Sequence, residues 1–334
     1  MKNLKKWIAA MLGGLILCFP IVGCNKKDDK TIRLCEVTHS IFYAPLYVAI
    51  NNGYFNDYGI TIKLSNGGGA DTVMTAIASK SADIGLMGPE ATIYCHVEGQ
   101  KDYPVIFGQL TKRDGSFLVS KKEEPNFTWA DTAGKHVLAG RKGGVPAMTL
   151  QYVMNQAGVD TNTSNFDTTV PFDVMVGAFE GSNQYDYCTM FEPTASEFVA
   201  AGKGYIVASV GKSSGDVPYT AFSAKKSYIE SNKDTVTDFL RAVVRGYNFM
   251  KEHPVSEVAK ALESSFTGTP LSSIEAAIES YLAIDAWSAT PVMKEEDFNR
   301  LQTIMENAGE LSSRADFSVA VNNSIANLVA GELL

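Results

Sequence analysis

Five short segments of the chain carry aromatic, acidic or glycine residues suited to holding a small molecule. Aromatic rings stack on planar ligands, and a carboxylate accepts hydrogen bonds from N–H donors. Glycine lets backbone N–H groups approach a ligand closely. We therefore predict a ligand site contacted by His39, Ser40, Phe42, Tyr43, Gly68, Gly69, Pro89, Glu90, Gly143, Gly144, Phe191 and Glu192.

The acidic and aromatic residues of this set also have structural interpretations. Glu90 and Glu192 each stand close to the start of a predicted helix, where a carboxylate favours the positive end of the helix dipole. Phe42 and Tyr43 could instead pack the first helix onto a sheet. The sequence leaves both interpretations open for each of the four residues.

A second glycine loop keeps an anionic ligand possible. Arg141 and Lys142 precede Gly143 and Gly144, and a helix is predicted to start directly afterwards. Helix N-termini favour anions, and the two basic side chains would supply a cation. A phosphate-binding P-loop is not predicted, because the G-x-x-x-x-G-K-[ST] motif is absent from the sequence.

Catalytic motifs of the common enzyme classes do not occur in the sequence. The four histidines, at positions 39, 96, 136 and 253, are widely separated, and no cysteine cluster has zinc-site spacing. We therefore predict no metal, no cofactor and no enzymatic activity.

Strands alternating with helices must position these residues. The segments 60–64 and 82–87 are predicted as strands flanking a helix at 70–80, and 135–139 is a strand followed by a helix at 147–157. This alternation predicts parallel sheets with right-handed crossovers, in which ligands bind beyond the carboxyl ends of the strands. The glycine loops lie at such ends.

The order of several motifs resembles the substrate-binding proteins of ABC importers. The motifs are Gly53-Tyr54-Phe55, Gly59-Ile60, Ala82-Asp83-Ile84-Gly85 and Phe191-Glu192-Pro193. They are most similar to the branch that binds aliphatic sulfonates, nitrate, taurine and thiamine-pyrimidine precursors. The resemblance covers most of the chain after residue 31.

This resemblance implies the type 2 periplasmic-binding-protein fold, with two α/β lobes and mixed but mainly parallel sheets covered by helices on both faces. From breaks in the pattern we expect a two-segment hinge near 120–126 and 212–222. The first lobe would hold residues 31–120 and 222–334, and the second residues 121–221. A strand is predicted at 169–172, a single helix at 317–331, and the helices after residue 225 are expected to pack on the first lobe.

The implied function is the capture of a small solute outside the cell and its delivery to a permease driven by an ATPase. A planar nitrogen-containing ring of the thiamine-pyrimidine-precursor kind is favoured, because aromatic side chains can stack on such a ring and a carboxylate can accept from its amino group. The similarity of Pro89-Glu90 to the pyrimidine-binding branch adds to this. An aliphatic sulfonate, taurine or nitrate is the alternative. A lipoprotein enzyme of thiamine-pyrimidine metabolism is a more distant one.

The first 23 residues are predicted to be a signal peptide. Lysines at positions 2, 5 and 6 precede an apolar stretch, and Ile21-Val22-Gly23-Cys24 is typical of a lipoprotein cleavage site. Cys24 would carry the lipid, including palmitate, and residues 24–30 would form a polar tether. The protein is therefore expected on the extracytoplasmic face of the cell membrane, anchored through Cys24.

The composition also limits the kinds of macromolecule that the protein is expected to bind. The formal net charge is −8, and loss of three lysines with residues 1–23 lowers it to −11. This acidity argues against nucleic acid as a partner. Cys35, Cys95 and Cys188 form no disulfide framework and are interpreted as small buried residues. A monomer is expected.

Overall fold

Two five-stranded sheets organise the chain. The computed structural model describes residues 30–99, 101–163 and 165–332. The predicted signal peptide, Cys24 and residues 25–29 of the predicted tether lie outside the described residues. Lys30, which the sequence assigned to the tether, begins the first strand.

The first sheet combines four strands from residues 30–111 with one later strand at residues 220–225. Its strands are β1 (Lys30–Glu36), β2 (Ile60–Asn66), β3 (Ile84–Met87), β4 (Pro104–Thr111) and β10 (Thr220–Lys225), in the order β2-β1-β3-β10-β4. β1 pairs in parallel with β2 and β3, whereas β10 runs antiparallel to β3 and β4. β4 is buried along its whole length, because later segments cover its free edge through bridges at Ile106 and Thr111.

The second sheet repeats this plan. Its strands are β5 (Phe117–Ser120), β6 (Val137–Leu138), β7 (Phe166–Asp167), β8 (Tyr187–Met190) and β9 (Tyr205–Ser209), in the order β7-β6-β8-β5-β9. β5 is the antiparallel strand here, between β8 and β9. Four strands of each sheet therefore share one direction, as the α/β prediction of mainly parallel mixed sheets required.

The chain passes between the sheets twice. The first passage, residues 112–116, comes before β5 and not after it as the sequence suggested. A short apolar strand such as β5 suits either sheet, and only its pairing with β8 and β9 assigns it to the second. The second passage comprises residues 210–219. From sheet membership we propose residues 30–111 and 220–332 as the first lobe and 117–209 as the second.

Helices fill the connections and the C-terminal third of the chain. In the first half they are α1 (Ala44–Asn51), α2 (Ala70–Ala78), α3 (Pro89–Val97), α4 (Val145–Gln156), α5 (Met175–Gly181) and α6 (Thr194–Ala200). Later ones are α7 (Val210–Ser214), α8 (Lys226–Ser231), α9 (Lys233–Glu252), α10 (Val255–Leu262), α11 (Leu271–Ala283), α12 (Glu295–Asn307), α13 (Phe317–Ala320) and α14 (Ser324–Gly331). Short 3-10 turns occupy Ile41–Tyr43, Asn56–Tyr58, Trp129–Thr132 and Phe172–Val174. Proline lies in the first turn of α1, α3 and α4, where its missing N–H group costs no helical hydrogen bond.

The C-terminal helices pack on elements of the first sheet's side, and two of them also reach the other side. α9 and α10 pack against α1, and α14 packs against α9 and β4, as expected. α11 packs mainly against α10 and also contacts α6, and α12 contacts α13 and α3 as well as α4. The additional contacts of α11 and α12 were not predicted, because an amphipathic helix shows that one face is buried and not which partners bury it.

Two further local predictions were wrong. Residues 169–172 form no strand, because the Asp167 carboxylate accepts hydrogen bonds from Thr169 N (2.8 Å) and Thr169 Oγ1 (2.7 Å), which closes a turn. The predicted helix at 317–331 is interrupted between α13 and α14, where Val321 bridges Ile106 of β4 and Asn322 N donates to the Ile106 carbonyl (2.8 Å). Tertiary pairing with the sheet edge overrides the helical pattern there.

Within the described residues, no helix combines the length and the hydrophobicity that a membrane span requires. Cys35, Cys95 and Cys188 are free and buried, which confirms their interpretation as small buried residues.

Candidate functional site

A cluster of aromatic rings lies where the ends of strands from both sheets meet. Phe42 is its centre, with ring centroids at 5.0 Å from Tyr281, 5.7 Å from Tyr219, 5.9 Å from Phe191 and 6.0 Å from Tyr43. These rings come from the 3-10 turn after β1, the end of β8, the second passage and α11. The cluster therefore joins elements that are far apart in sequence.

The Phe42 ring itself is buried and fixed. A Cβ atom on Gly115 would lie 2.6 Å from the ring, so glycine allows the first passage to cross it. Trp287 Nε1 donates to the Phe42 carbonyl at 2.9 Å. Phe42 thus has the packing role that the sequence left open, whereas Phe191 is partly exposed and also contacts Phe172.

Glu90 lies at the start of α3, directly beyond the carboxyl end of β3, and its side chain is 3% exposed. A Cβ atom at position 88 would overlap the Glu90 carboxylate, so Gly88 makes room for it. The backbone N–H groups of Glu90 and Ala91 lower the pKa of the carboxyl group, but among the described residues Oε2 has no hydrogen-bond partner. Glu90 therefore faces the first turn of α3 and offers a free acceptor.

Burial dominates the electrostatics of Glu90. It raises the pKa of the carboxyl group from 4.5 to about 7, partly offset by the backbone N–H groups and the nearby Arg141 guanidinium, while Asp71 acts in the same direction as burial. Burial and the carboxylates of Glu36 and Glu90 together raise the pKa of Tyr43. Tyr43 and Glu90, predicted from different segments, are therefore brought within electrostatic reach of each other.

Glu192 is engaged differently. Its carboxylate accepts hydrogen bonds from Ser196 N (3.0 Å) and Ser196 Oγ (2.8 Å), which is the helix-capping role. Its backbone N–H donates to the Tyr281 hydroxyl at 3.0 Å and so links the end of β8 to α11. Both carboxylate oxygens of Glu192 thus accept hydrogen bonds from Ser196 in the first turn of α6.

His39 and Ser40 are also tied into the fold. His39 Nδ1 lies 2.9 Å from Glu36 Oε1, and His39 Nε2 lies 2.7 Å from the carbonyl of Ser265. The hydrogen bond with Glu36 raises the pKa of His39, although burial opposes it. Ser40 Oγ accepts from Phe42 N and starts the 3-10 turn. Both His39 ring nitrogens thus face acceptors, which favours the charged imidazolium.

The two glycine loops face each other across the space between the sheets. Gly68 has φ +70°, and Gly69 precedes α2, whose first turn carries Asp71. Arg141, on the opposite loop, places a guanidinium nitrogen 3.9 Å from Asp71 Oδ1. The loops are therefore brought together through their charged neighbours, an arrangement that the sequence order alone could not show.

The second loop makes two further contacts with the first lobe. The Tyr94 hydroxyl donates to the carbonyl of Gly143 at 3.2 Å. Lys142 Nζ lies 3.7 Å from Glu310 Oε1. Gly144 is the residue before α4, so the hydrogen bond from Tyr94 to Gly143 links α3 to the N-terminus of α4.

Several residues near the site were missed by sequence reasoning. Tyr94 lies one helical turn after Glu90 on the same face of α3, and this spacing was a usable signal. Tyr219 lies within the second passage, 5% exposed, with its hydroxyl near the carboxyl group of Asp114. Tyr281 looks like an ordinary core residue of an amphipathic helix. No sequence pattern marks the last two, because only the meeting of the two sheets brings them to the site.

Chemically, the site combines aromatic surfaces, a buried free carboxylate oxygen, a guanidinium group and two helix N-termini. Such a set can hold a small polar or planar ligand between two lobes. Among the described residues, no group of three or more histidine, cysteine, aspartate or glutamate side chains is arranged to hold a metal ion.

The fold and this site define a two-lobed α/β protein of the periplasmic-binding-protein class. The alkanesulfonate-binding protein SsuA from Xanthomonas axonopodis pv. citri, bound to MOPS, superimposes with a TM-score of 0.71 at 16% identity, covering 89% of this chain and 99% of that one. The periplasmic nitrate-binding protein NrtA from Synechocystis PCC 6803 gives a TM-score of 0.70 at 17% identity, covering 92% and 89%. At these identities the likeness shows the fold alone.

The family follows from sequence. The NMT1/THI5-like family model matches residues 41–257, and the chain belongs to this family. It is 37% identical over 334 residues to "Putative binding protein YtlA" of Bacillus subtilis (strain 168), covering 98% of this chain and all of that protein.

Proposed function

We propose that the protein is the extracytoplasmic solute-binding component of an ABC importer, and that it captures a small planar nitrogen-containing ring. The family, the fold and the position of the site between two sheets support a binding role. One observation carries the choice of ligand: the buried Oε2 of Glu90 has no hydrogen-bond partner among the residues that the structure describes. A ligand N–H group is the natural partner of such an acceptor.

The aromatic surroundings favour a planar ligand. Phe191 and Tyr219 lie 6.2 Å apart, and the Phe191 ring is partly exposed beside the end of β8. A ring amino group of the thiamine-pyrimidine-precursor kind would donate to Glu90 while the ring packs on these side chains. Leaving a buried acceptor unmatched costs about 1–3 kcal/mol, so the site discriminates against ligands without a donor.

Calorimetry with hydroxymethylpyrimidine tests this proposal. We expect wild-type protein to bind it, and Glu90→Gln to weaken binding by roughly 1.5–3 kcal/mol, which is about 10- to 150-fold. Glu124→Gln is the matched control, because Glu124 accepts from Ser120 and Tyr187 at the far end of β5 and β8. We expect that control to keep wild-type affinity. Tight binding of an alkyl sulfonate, no binding of the pyrimidine and a gain on Glu90→Gln would reverse the assignment.

An aliphatic sulfonate, taurine or nitrate is the second candidate. Arg141 and the N-termini of α3 and α4 favour it, because helix N-termini and a guanidinium group bind oxyanions. If this candidate is right, taurine, nitrate or an alkane sulfonate raises the melting temperature, and Arg141→Gln removes the effect. A ligand at about 100 times its dissociation constant adds about 2.7 kcal/mol of stability.

We propose binding without chemical conversion. The three described cysteines are buried, and burial raises the pKa of Cys188 to about 12, so it stays a thiol at neutral pH. Mass spectrometry of ligand recovered after prolonged incubation is expected to show it unchanged. A converted product would instead support the enzyme of thiamine-pyrimidine metabolism.

We further propose that Cys24 anchors the monomeric protein to the outer face of the cell membrane, where it meets the permease and its ATPase. The sequence Ile21-Val22-Gly23-Cys24 supports the anchor. Cys24→Ala is expected to release the protein into the medium. Unchanged membrane retention of the variant would contradict the anchor, and the elution volume of the soluble variant tests the monomer.

A further inference from the structure

The charges around Glu90 do not balance when it is ionised. Arg141 lies 3.9 Å from Asp71, and Lys142 lies 3.7 Å from Glu310, so each basic side chain of this loop already faces a carboxylate. Glu90 shares Arg141 with Asp71 and, among the residues that the structure describes, forms no ion pair of its own. An ionised Glu90 therefore leaves one negative charge in the site.

One buried acceptor atom points to what could neutralise this charge. Among the described residues Glu90 Oε2 lacks a hydrogen-bond partner, and the Glu90 side chain is more than nine-tenths buried. The Tyr219 ring packs with Phe42 and Phe191. Aromatic faces beside a carboxylate attract a planar cation, through its N–H donors and through cation–π contact.

Building on the proposed function, we propose that the site holds its ligand as an organic cation paired with an ionised Glu90. An amidinium, or an aminopyrimidine protonated on the ring, has the required charge, planarity and N–H donors. The proton carried by Glu90 in the empty site leaves as the cation binds. For a ring that enters neutral, that proton can pass from Glu90 to the ring nitrogen.

The pH dependence follows from the groups that face Glu90. Asp71 on α2 and Arg141 on the opposite loop act on its carboxyl group, and the charge of Glu90 in turn raises the pKa values of Tyr43, Tyr94 and Tyr219. Its pKa is about 7, so Glu90 is mostly protonated at pH 6 and mostly ionised at pH 8. A permanently charged ligand should therefore bind about tenfold more tightly at pH 8 than at pH 6.

Asp114 also titrates near this pH, because burial raises its pKa to about 7, and it acts on Tyr219. Its contribution has to be separated from that of Glu90. Asp114→Asn keeps Glu90 intact and removes the second titration, so this variant should retain the tenfold dependence.

The test uses benzamidine as the cation and benzamide as its neutral isostere, with calorimetry on the intact protein. We expect benzamidine to bind at least tenfold more tightly than benzamide at pH 8, and to lose about tenfold at pH 6. Measurements at pH 7 in two buffers with different ionisation enthalpies should show release of about half a proton per ligand. Glu90→Gln should remove both the pH dependence and the proton release.

The outcomes separate this inference from the proposed function. Equal binding of benzamidine and benzamide, or equal benzamidine affinity at pH 6 and pH 8, would overturn the cation assignment. Neither result bears on whether hydroxymethylpyrimidine binds. Conversely, a preference for benzamidine without any binding of hydroxymethylpyrimidine would support the cation and refute the pyrimidine. The wild-type profiles decide the matter even if Glu90→Gln fails to fold.

Discussion

Asp114 carries an ionisable group that should make the protein less stable as pH rises. It is completely buried in the first passage, where Oδ1 accepts from Ser116 N (2.7 Å) and Ser116 Oγ (2.6 Å). Oδ2 accepts no hydrogen bond from the part of the chain that the structure describes. Burial raises the pKa from 3.8 to about 7, although the Ser116 donors and the nearby Tyr219 hydroxyl oppose it.

The sign and size of the effect follow from proton linkage. A carboxyl group whose pKa is higher in the folded than in the unfolded protein binds more protons when folded. Its contribution to stability is complete below pH 3.8 and is lost as pH rises through about 7. The total loss is about 4 kcal/mol, of which about 2–3 kcal/mol falls between pH 5 and pH 8.

Asp114→Asn removes this titration and keeps an acceptor for Ser116. Urea unfolding of both proteins should therefore show the variant gaining about 2–3 kcal/mol on the wild type between pH 5 and pH 8. Asp131→Asn is a control of opposite sign, because hydrogen bonds from Thr128 lower the pKa of Asp131. The free energy of unfolding of that variant should fall relative to the wild type as pH rises through the acidic range. Parallel pH profiles for the wild type and Asp114→Asn would refute the reasoning.

Two further variants test the packing between elements. Gly246→Ala should destabilise the protein by about 3 kcal/mol or more in thermal unfolding, because the added Cβ would overlap the Pro45 carbonyl where α9 crosses α1. Gly177→Ala, in the open face of α5, should instead stabilise the protein by up to about 1 kcal/mol. Equal effects of the two substitutions would show that helix propensity, and not the close crossing of α9 and α1, determines the change in stability. Tyr281→Phe should cost about 1–3 kcal/mol in urea unfolding, because Glu192 N loses its acceptor between β8 and α11 while the aromatic packing remains. A cost below about 0.5 kcal/mol would mean that this N–H group finds another partner.

Local patterns were sufficient where the determinants are local. Gly53 follows the apolar stretch of α1 and ends that helix with φ +74°, as a glycine just past a helix favours. The predicted helix at 147–157 corresponds to α4, which begins two residues earlier because Val145 and Pro146 fit a first helical turn. The strand–turn–helix order that places Glu90 beyond the end of β3 was likewise readable from apolar periodicity and glycine.

Only the tertiary structure determined which strands pair and which helices pack together. The apolar pattern of β5 fits either sheet, and only hydrogen bonding with β8 and β9 assigns it to the second. The same limit applies to α11 and α12, whose stripes do not reveal that they contact α6 and α4. Residues 169–172 were misread because the Asp167 side chain competes for the backbone of Thr169.

The sequence shows the type of each candidate residue, but not which of its polar atoms remain free of hydrogen bonds in the fold. Glu90 and Glu192 look alike in sequence, each beside a proline near a helix start. In the fold, both oxygens of Glu192 accept hydrogen bonds from Ser196, whereas Glu90 Oε2 is buried without a partner among the described residues. The sequence thus determined the classes of side chain and the order of elements, because these depend on near neighbours. Which acceptor stays unpaired depends on groups contributed by distant segments, and only the tertiary structure brings those together.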